Sequence, residues 1–94
     1  MENFEFKNGQ LFVENLAVEE IAKQIPTPFY CYSSKALNDK FDQYSQAFSN
    51  IKHKICYAIK ANSNLSVIAN FAKLGAGASL ILYLYAICYF NFLN

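Results

Sequence analysis

A short apolar run that ends at a single lysine constrains the fold of this chain more than any other feature. The run lies within Lys54–Ile59, Lys60 follows it directly, and residues 62–64 are polar turn formers. A short apolar run bounded by turn residues predicts a buried strand. Lysine is rarely buried without a partner, but it suits the carboxyl end of a barrel strand, where α/β barrels keep their catalytic groups. We therefore predict a strand over Lys54–Ile59 with Lys60 at a site.

An earlier strand and an amphipathic helix are predicted upstream of this run. Phe29–Tyr32 is apolar and predicts the first strand of a barrel. Ser33 or Ser34 then caps a helix over about residues 35–48, because a serine side chain can accept a hydrogen bond from the first helical turn. Large apolar side chains recur every three or four positions along this helix and predict a face packed in the core. These side chains are Leu37, Phe41, Tyr44 and Phe48.

A further helix is predicted after the polar turn. Asn64 caps a helix over about residues 65–74, and Gly75 suits the left-handed position that ends many helices. The order strand, helix, strand, helix predicts parallel βαβ units. The fold class expected from these elements is α/β.

The first 26 residues predict a hairpin followed by a short helix. Phe4–Phe6 and Leu11–Val13 flank Asn8-Gly9, a pair that supplies the positive φ angles of a tight hairpin turn. Val18–Ile25 places its apolar residues at helical spacing, and Pro26 ends the predicted helix.

Composition excludes several classes of protein. The chain has 94 residues, a net charge of +1 and scattered basic residues without arginine, so we expect no nucleic-acid partner. Three cysteines, Cys31, Cys56 and Cys88, form no C-x-x-C pair and have no ligand spacing with His53, so we expect neither disulfides nor a metal site. Cys31 and Cys56 lie in apolar runs, where we expect buried, unreactive thiols. The first five residues mix acidic, polar and apolar side chains and do not resemble a signal peptide, which predicts a cytoplasmic location.

The last sixteen residues, Ser79–Asn94, differ in character from the rest. No charged side chain follows Lys73, and Leu80–Phe90 is uninterrupted and apolar. One hypothesis is that the segment is a frameshifted or decayed end, as in a pseudogene. A second is a β-prone, aggregation-prone segment. The third, a membrane anchor, is disfavoured because a membrane helix needs roughly 20 apolar residues.

Four segments resemble, in order and spacing, the diaminopimelate decarboxylases, which are fold-type III pyridoxal-phosphate enzymes of the ornithine, lysine and arginine decarboxylase class. The central segment is Tyr57–Asn62, with the sequence Tyr-Ala-Ile-Lys-Ala-Asn. The others are Lys7–Val13, Thr27–Ser33 and Leu74–Ala78. The resemblance covers about residues 4–78.

The resemblance implies a fold, a cofactor and a reaction. The fold is an incomplete amino-terminal part of an alanine racemase-like, pyridoxal-phosphate-binding (β/α)8 (TIM) barrel over residues 1–78, with residues 79–94 as an apolar tail that departs from the family pattern. Lys60 is the ancestral Schiff-base lysine, both catalytic and cofactor-binding, and a closed barrel would remove water from its amine. The ancestral reaction, in lysine biosynthesis, converts meso-diaminopimelate to L-lysine and carbon dioxide in a homodimer. The residues of these motifs favour diaminopimelate over ornithine or arginine as the substrate.

The resemblance also implies groups that have no matching position in these 94 residues. They are a histidine stacked on the cofactor, a glycine-rich phosphate site, an acidic partner for the ring nitrogen, a cysteine segment from the second subunit and substrate-reading arginines. Gly75 and Gly77 predict helix-ending turn chemistry rather than a phosphate cradle, and Asn62 and Asn64 predict turn and cap roles. Tyr57 could pack in a wall or contact substrate.

These gaps predict a truncated decarboxylase that is inactive alone. Two alternatives stay open. The chain could be a non-enzymatic small protein whose apolar tail attaches it to a membrane or a partner. It could also be one part of a split decarboxylase.

Overall fold

The computed structural model describes residues 3–82 and 86–91, with side chains described up to Ser79. The chain divides into two compact units, one ending at Ala36 and one beginning at Leu37. The predicted boundary between Ala78 and Ser79 does not coincide with this division, and it falls inside a strand of the second unit.

The first unit opens with the predicted hairpin. Strands β1 (Phe4–Lys7) and β2 (Gln10–Val13) are antiparallel, with Lys7 opposite Gln10. Asn8 and Gly9 connect them with φ angles of 51° and 80°, as the turn type requires. A two-residue strand β3 (Leu16–Ala17) pairs antiparallel with β2 and completes a sheet of order β1-β2-β3.

Helix α1 (Val18–Ala22) is shorter than the predicted Val18–Ile25. Its first turn carries Glu19 and Glu20, where acidic groups favour the helix dipole. The amide of Ile25 still donates to the carbonyl of Ile21 at 3.0 Å, but as a turn rather than as regular helix. The helix ends because Pro26 follows within the next turn.

The prediction of a strand over Phe29–Tyr32 was wrong. These residues have no ladder partner among the described residues, although exposure alternates as in a strand. Tyr30 is 91% exposed and Tyr32 53% exposed. A strand requires a neighbouring backbone as well as a β-prone sequence, and the sequence pattern reports only the second condition.

Helix α2 (Ser34–Ala47) forms close to its predicted bounds. Its cap is Ser33, whose hydroxyl oxygen accepts from the amide of Ala36 at 3.0 Å. The Ser33 hydroxyl itself donates to a Glu14 carboxylate oxygen at 2.7 Å, and the same oxygen accepts from the amide of Lys35. This arrangement buries Ser33 almost completely.

The predicted core face of α2 is only partly buried. Leu37 and Phe41 are half-buried as expected, but Tyr44 is exposed and Ser45 occupies the half-buried position one residue later. Phe48 lies beyond the last residue of α2 and is also exposed. The covered face therefore follows a spacing of four residues rather than the mixed spacing of the large apolar side chains.

The second unit contains a parallel βαβ unit, but its last strand is not among the predicted strands, and the predicted unit that begins with a strand at Phe29–Tyr32 does not form. Strand β4 (Cys56–Ala58) pairs in parallel with β5 (Gly77–Leu82), and α3 (Leu65–Lys73) connects them. Strand β6 (Ala86–Asn91) then pairs antiparallel with β5, which gives the order β4-β5-β6.

Helix α3 has both predicted end signals. The Asn64 side chain accepts from the amide of Ser66 at 2.9 Å and caps the first turn. Gly75 has a φ of 88°, and the amides of Gly75 and Ala76 donate to the carbonyls of Ala72 and Phe71. This pair of bonds is the Schellman pattern, which satisfies carbonyls that the helix leaves free.

The most buried apolar side chains described in the second unit come from α3, from β5 and from the link between them. Val67 is 7% exposed, and Ala76 and Ala78 are each 1% exposed. These side chains are small, so a single lost hydrogen bond or cap is a large share of the stability of such a unit.

The described part of the predicted tail lies in β5 and β6, in line with its β-prone composition. Residues 83–85 and 92–94 lie outside the described residues, and the hypothesis of a frameshifted end stays a prediction. Over residues 3–82 and 86–91, we find no helix that is both long and apolar enough to cross a membrane.

Candidate functional site

Lys60 follows the carboxyl end of β4, but within a short helix rather than at the end of a strand. The predicted strand Lys54–Ile59 is shorter in the structure, and residues Ile59–Ala61 form one turn of 3₁₀-helix. Lys60 is the middle residue of this turn and is exposed. The resemblance implies a closed barrel that removes water from the Lys60 amine, and the described residues do not supply such an enclosure.

The residues after Lys60 form an ordered polar turn, as predicted. The Asn62 side-chain oxygen accepts from the amide of Asn64 at 3.0 Å, and the Asn64 side chain caps α3. Asn and Asp side chains commonly bond to the backbone two residues later, which explains the choice of residue at both positions. This pair of bonds joins the turn that holds Lys60 to the first turn of α3.

Tyr57 contacts both the residue that closes the Lys60 turn and helix α3. Its hydroxyl donates to the carbonyl oxygen of Asn62 at 2.7 Å, and its ring stacks on Phe71 with centroids 4.5 Å apart and an angle of 21°. The residue therefore combines wall packing with a bond to the turn. Sequence analysis did not single out Phe71, although it lies four residues after Val67 on the buried side of α3.

The glycines near the site do not form a phosphate cradle: Gly75 ends α3 as predicted, whereas Gly77 begins β5 and does not have the predicted turn role. The amide of Gly75 donates to the Ala72 carbonyl, and the amide of Gly77 donates to the Ile55 carbonyl at 2.9 Å. Both amides are thus engaged by backbone, whereas a phosphate site needs free amides that point at the anion. The described residues fit the aldehyde end of pyridoxal phosphate through the exposed amine of Lys60, and they offer no cradle for its phosphate.

A cavity of about 320 Å³ in the second unit lies away from Lys60. Its lining includes His53, Lys54 and Ile55, which precede β4, and Leu74, which follows α3. Lys60 follows β4, so the cavity and the lysine belong to opposite ends of the strand. The candidate site is therefore an exposed amine at a strand end rather than this cavity.

The cysteines are less buried than predicted. Cys31 and Cys56 are free and half-buried, and the side chain of Cys88 lies outside the described side chains. Among the residues that the structure describes, we find no group of three or more His, Cys, Asp or Glu side chains that could hold a metal ion.

Comparison of the sequence with known proteins identifies a family and several relatives that this chain resembles. Residues 34–80 match the family described as pyridoxal-dependent decarboxylase, pyridoxal binding domain. The diaminopimelate decarboxylase of Pseudomonas aeruginosa is 37% identical over 81 residues, which is 86% of this chain and 20% of that protein. That of Neisseria meningitidis is 42% identical over 71 residues, 76% of this chain and 18% of that protein.

A solved structure shows the same likeness. The crystal structure of diaminopimelate decarboxylase from M. jannaschi matches with a TM-score of 0.75 and 34% identity, over 82% of this chain and 19% of that chain. The predicted resemblance and the predicted α/β class, with elements of the amino-terminal part of a pyridoxal-binding barrel, are thereby confirmed. The chain spans about a fifth of the length of the relatives it matches.

The segment that matches the family is half of the chain and contains α2, β4, the turn with Lys60 and α3. This chain therefore belongs to the family of pyridoxal-dependent decarboxylases.

Proposed function

We propose that this chain carries the cofactor-binding lysine of a diaminopimelate decarboxylase, and that Lys60 is this lysine. The observation that carries the proposal is the location of Lys60, which lies directly after a strand paired in parallel with its neighbour and inside the segment that matches the family. Barrel enzymes place their catalytic groups at the carboxyl ends of such strands.

The role of Lys60 in this proposal is to hold pyridoxal phosphate through its amine. The amine must first lose a proton, because only the neutral amine attacks an aldehyde, and removal of water around it favours the neutral form. When bound, the cofactor supplies the electron sink for loss of carbon dioxide from the α-carbon of an amino acid. Neighbouring residues of this chain orient the amine.

The substrate in this proposal is meso-diaminopimelate and the product L-lysine, within a whole enzyme that is a cytoplasmic homodimer. The 94 residues contain no arginine, and their single histidine, His53, precedes β4 rather than following it. They therefore provide the attachment point without the histidine and arginines that the resemblance implies. We expect the 94-residue chain alone not to decarboxylate diaminopimelate.

A chimeric enzyme tests the role of Lys60. Residues 34–80 of this chain replace the corresponding segment of the Pseudomonas aeruginosa diaminopimelate decarboxylase. We expect the chimera to release carbon dioxide from diaminopimelate, and the Lys60→Ala chimera to lose this activity. Lys54→Ala is the matched control, because Lys54 is an exposed lysine next to the same strand at its other end, and we expect it to keep activity.

Two results would contradict the proposal. One is a Lys60→Ala chimera that is as active as the Lys54→Ala chimera, which would assign the cofactor to another amine. The other concerns the chain alone: release of carbon dioxide from diaminopimelate by the 94 residues would show that the attachment point is accompanied by the remaining catalytic groups.

A further inference from the structure

The turn that carries Lys60 is fixed through the backbone of Asn62. The amide of Asn62 donates to the carbonyl of Ile59 at 3.1 Å, which closes the 3₁₀ turn around Lys60. The carbonyl of Asn62 accepts the Tyr57 hydroxyl at 2.7 Å. Asn62, two residues after the lysine, is therefore held at both its amide and its carbonyl, once by backbone and once by a side chain.

The Tyr57 side chain is itself held firmly. Its backbone lies opposite Ala78 of β5, and its half-buried ring stacks on Phe71 of α3. A stacked aromatic pair gains about 0.5–1.5 kcal/mol beyond the burial of its area. Because the ring is attached to a strand and stacked on a helix, it has little freedom to move. Its hydroxyl therefore restrains the turn instead of moving with it.

The hydroxyl of Tyr57 has one proton to donate, and the Asn62 carbonyl receives it. This bond spans Lys60 in sequence, from three residues before it to two residues after it. A bond across a turn selects one backbone direction for the residue inside the turn, and hence one direction for its side chain to leave the backbone.

We infer that Tyr57 is a positioning residue for Lys60: its hydroxyl holds the backbone turn from which the lysine amine projects, without contacting cofactor or substrate. The inference rests on the proposed function, since it assigns Tyr57 a role toward the cofactor lysine. It replaces the two roles that the sequence left open, wall packing alone or substrate contact, with a third.

The test uses the full chain and the Tyr57→Phe variant, which keeps the stacked ring and removes only the hydroxyl. Two quantities are measured. The first is the hydrogen-exchange rate of the Asn62 amide, which reports the closed turn. The second is the share of label on Lys60 after treatment with pyridoxal 5′-phosphate and borohydride, with the other seven lysines as internal references.

We expect Tyr57→Phe to raise the Asn62 exchange rate by about fivefold, the factor that corresponds to one typical hydrogen bond. We also expect the share of label on Lys60 to fall while the pattern on the other lysines is unchanged. Tyr44→Phe is the matched control, because Tyr44 is an exposed tyrosine of α2 in the same unit, and it should change neither quantity. Phe71→Leu, which loosens the ring but keeps the hydroxyl, should change both in the same direction and by less.

Wild-type values of both quantities in Tyr57→Phe would overturn the inference. A faster Asn62 amide with an unchanged share of label would also overturn it, because the bond would then be structural and would not act through Lys60. A wild-type chain that takes no label on Lys60 would instead count against the proposed function. The chimera tests that function separately, through the loss of carbon dioxide release in its Lys60→Ala variant.

Discussion

The side-chain amide of Asn70 in α3 donates a hydrogen bond to the side-chain oxygen of Asn38 in α2, at 2.8 Å. The bond is partly buried and joins the two helices of the second unit across 32 positions of sequence. It places α3, whose first turn is bonded to the turn of Lys60, against a second element. Neither asparagine has a sequence signal, because their partnership exists only once the helices are packed.

Removal of this bond should weaken the second unit. We expect Asn70→Ala to lower the free energy of unfolding by about 1–2 kcal/mol, because the half-buried Asn38 loses its partner. Urea unfolding followed by circular dichroism measures the change. In a double-mutant cycle with Asn38→Ala the coupling should be about 1 kcal/mol, and Asn50→Ala in the exposed turn after α2 serves as the control. A coupling near zero would show that the two side chains do not interact in solution.

The cap of α2 should depend on Ser33 and not on its neighbour Ser34. We expect Ser33→Ala to cost about 1 kcal/mol, because the variant loses the acceptor for the Ala36 amide and the donor to Glu14. Ser33→Thr keeps both groups and should recover part of the loss. Ser34→Ala, at an exposed position, should change stability by less than about 0.5 kcal/mol. Equal effects of the two alanine variants would refute this assignment of the cap.

The left-handed backbone at Gly75 should make this position intolerant of a side chain. Apart from the neighbouring residues of the chain, no atom of the described residues lies within 4 Å of a Cβ added at Gly75, so the cost of Gly75→Ala comes from its φ of 88° and not from a clash. We expect a loss of about 1 kcal/mol in the free energy of unfolding, and a smaller loss for Gly75→Asn. Gly9, with a φ of 80° and equally open surroundings, is the matched comparison, and Gly9→Ala should cost a similar amount. An unchanged stability for Gly75→Ala would mean that the helix end can adopt another conformation.

The charge of Lys23 should persist to higher pH than that of an ordinary lysine. The hydrogen bond from Lys23 to Glu20, at 2.6 Å, and the negative charge of Glu20 raise the pKa of Lys23 above 10.5, and burial opposes this only weakly. Because the folded pKa is the higher one, the stabilising contribution is complete below about pH 10.5 and is lost as the pH rises through the raised value. An NMR titration of Lys23 should show a lower pKa in Glu20→Gln. Glu19→Gln should lower it less, and the reverse order would contradict the assigned cause.

Signals confined to a few neighbouring residues were sufficient for much of the fold. Asn8-Gly9 determined the hairpin, and Asn64 and Gly75 determined the two ends of α3. Each depends on backbone geometry that one or two side chains favour directly. Signals of this kind do not depend on what lies across the fold.

The errors share a different cause. Phe29–Tyr32 is β-prone but unpaired, and Tyr44 is apolar but exposed, because both outcomes depend on which partner surface is available. The strand that precedes Lys60 also ends early because of a contact between side chain and backbone. The Tyr57 hydroxyl, from within β4, bonds to the Asn62 carbonyl and stabilises the 3₁₀ turn. Sequence periodicity contains no information about these contacts.

For this protein, the sequence by itself determined the family motifs, the amino-terminal hairpin, the two ends of α3, and the position of Lys60 after a strand. Only the tertiary structure decided that Lys60 lies exposed within a 3₁₀ turn and that Tyr57 and Phe71 support that turn. The physical reason is distance along the chain: local backbone preferences act between neighbouring residues, whereas the Tyr57–Phe71 stack and the Asn38–Asn70 bond form only after the elements meet.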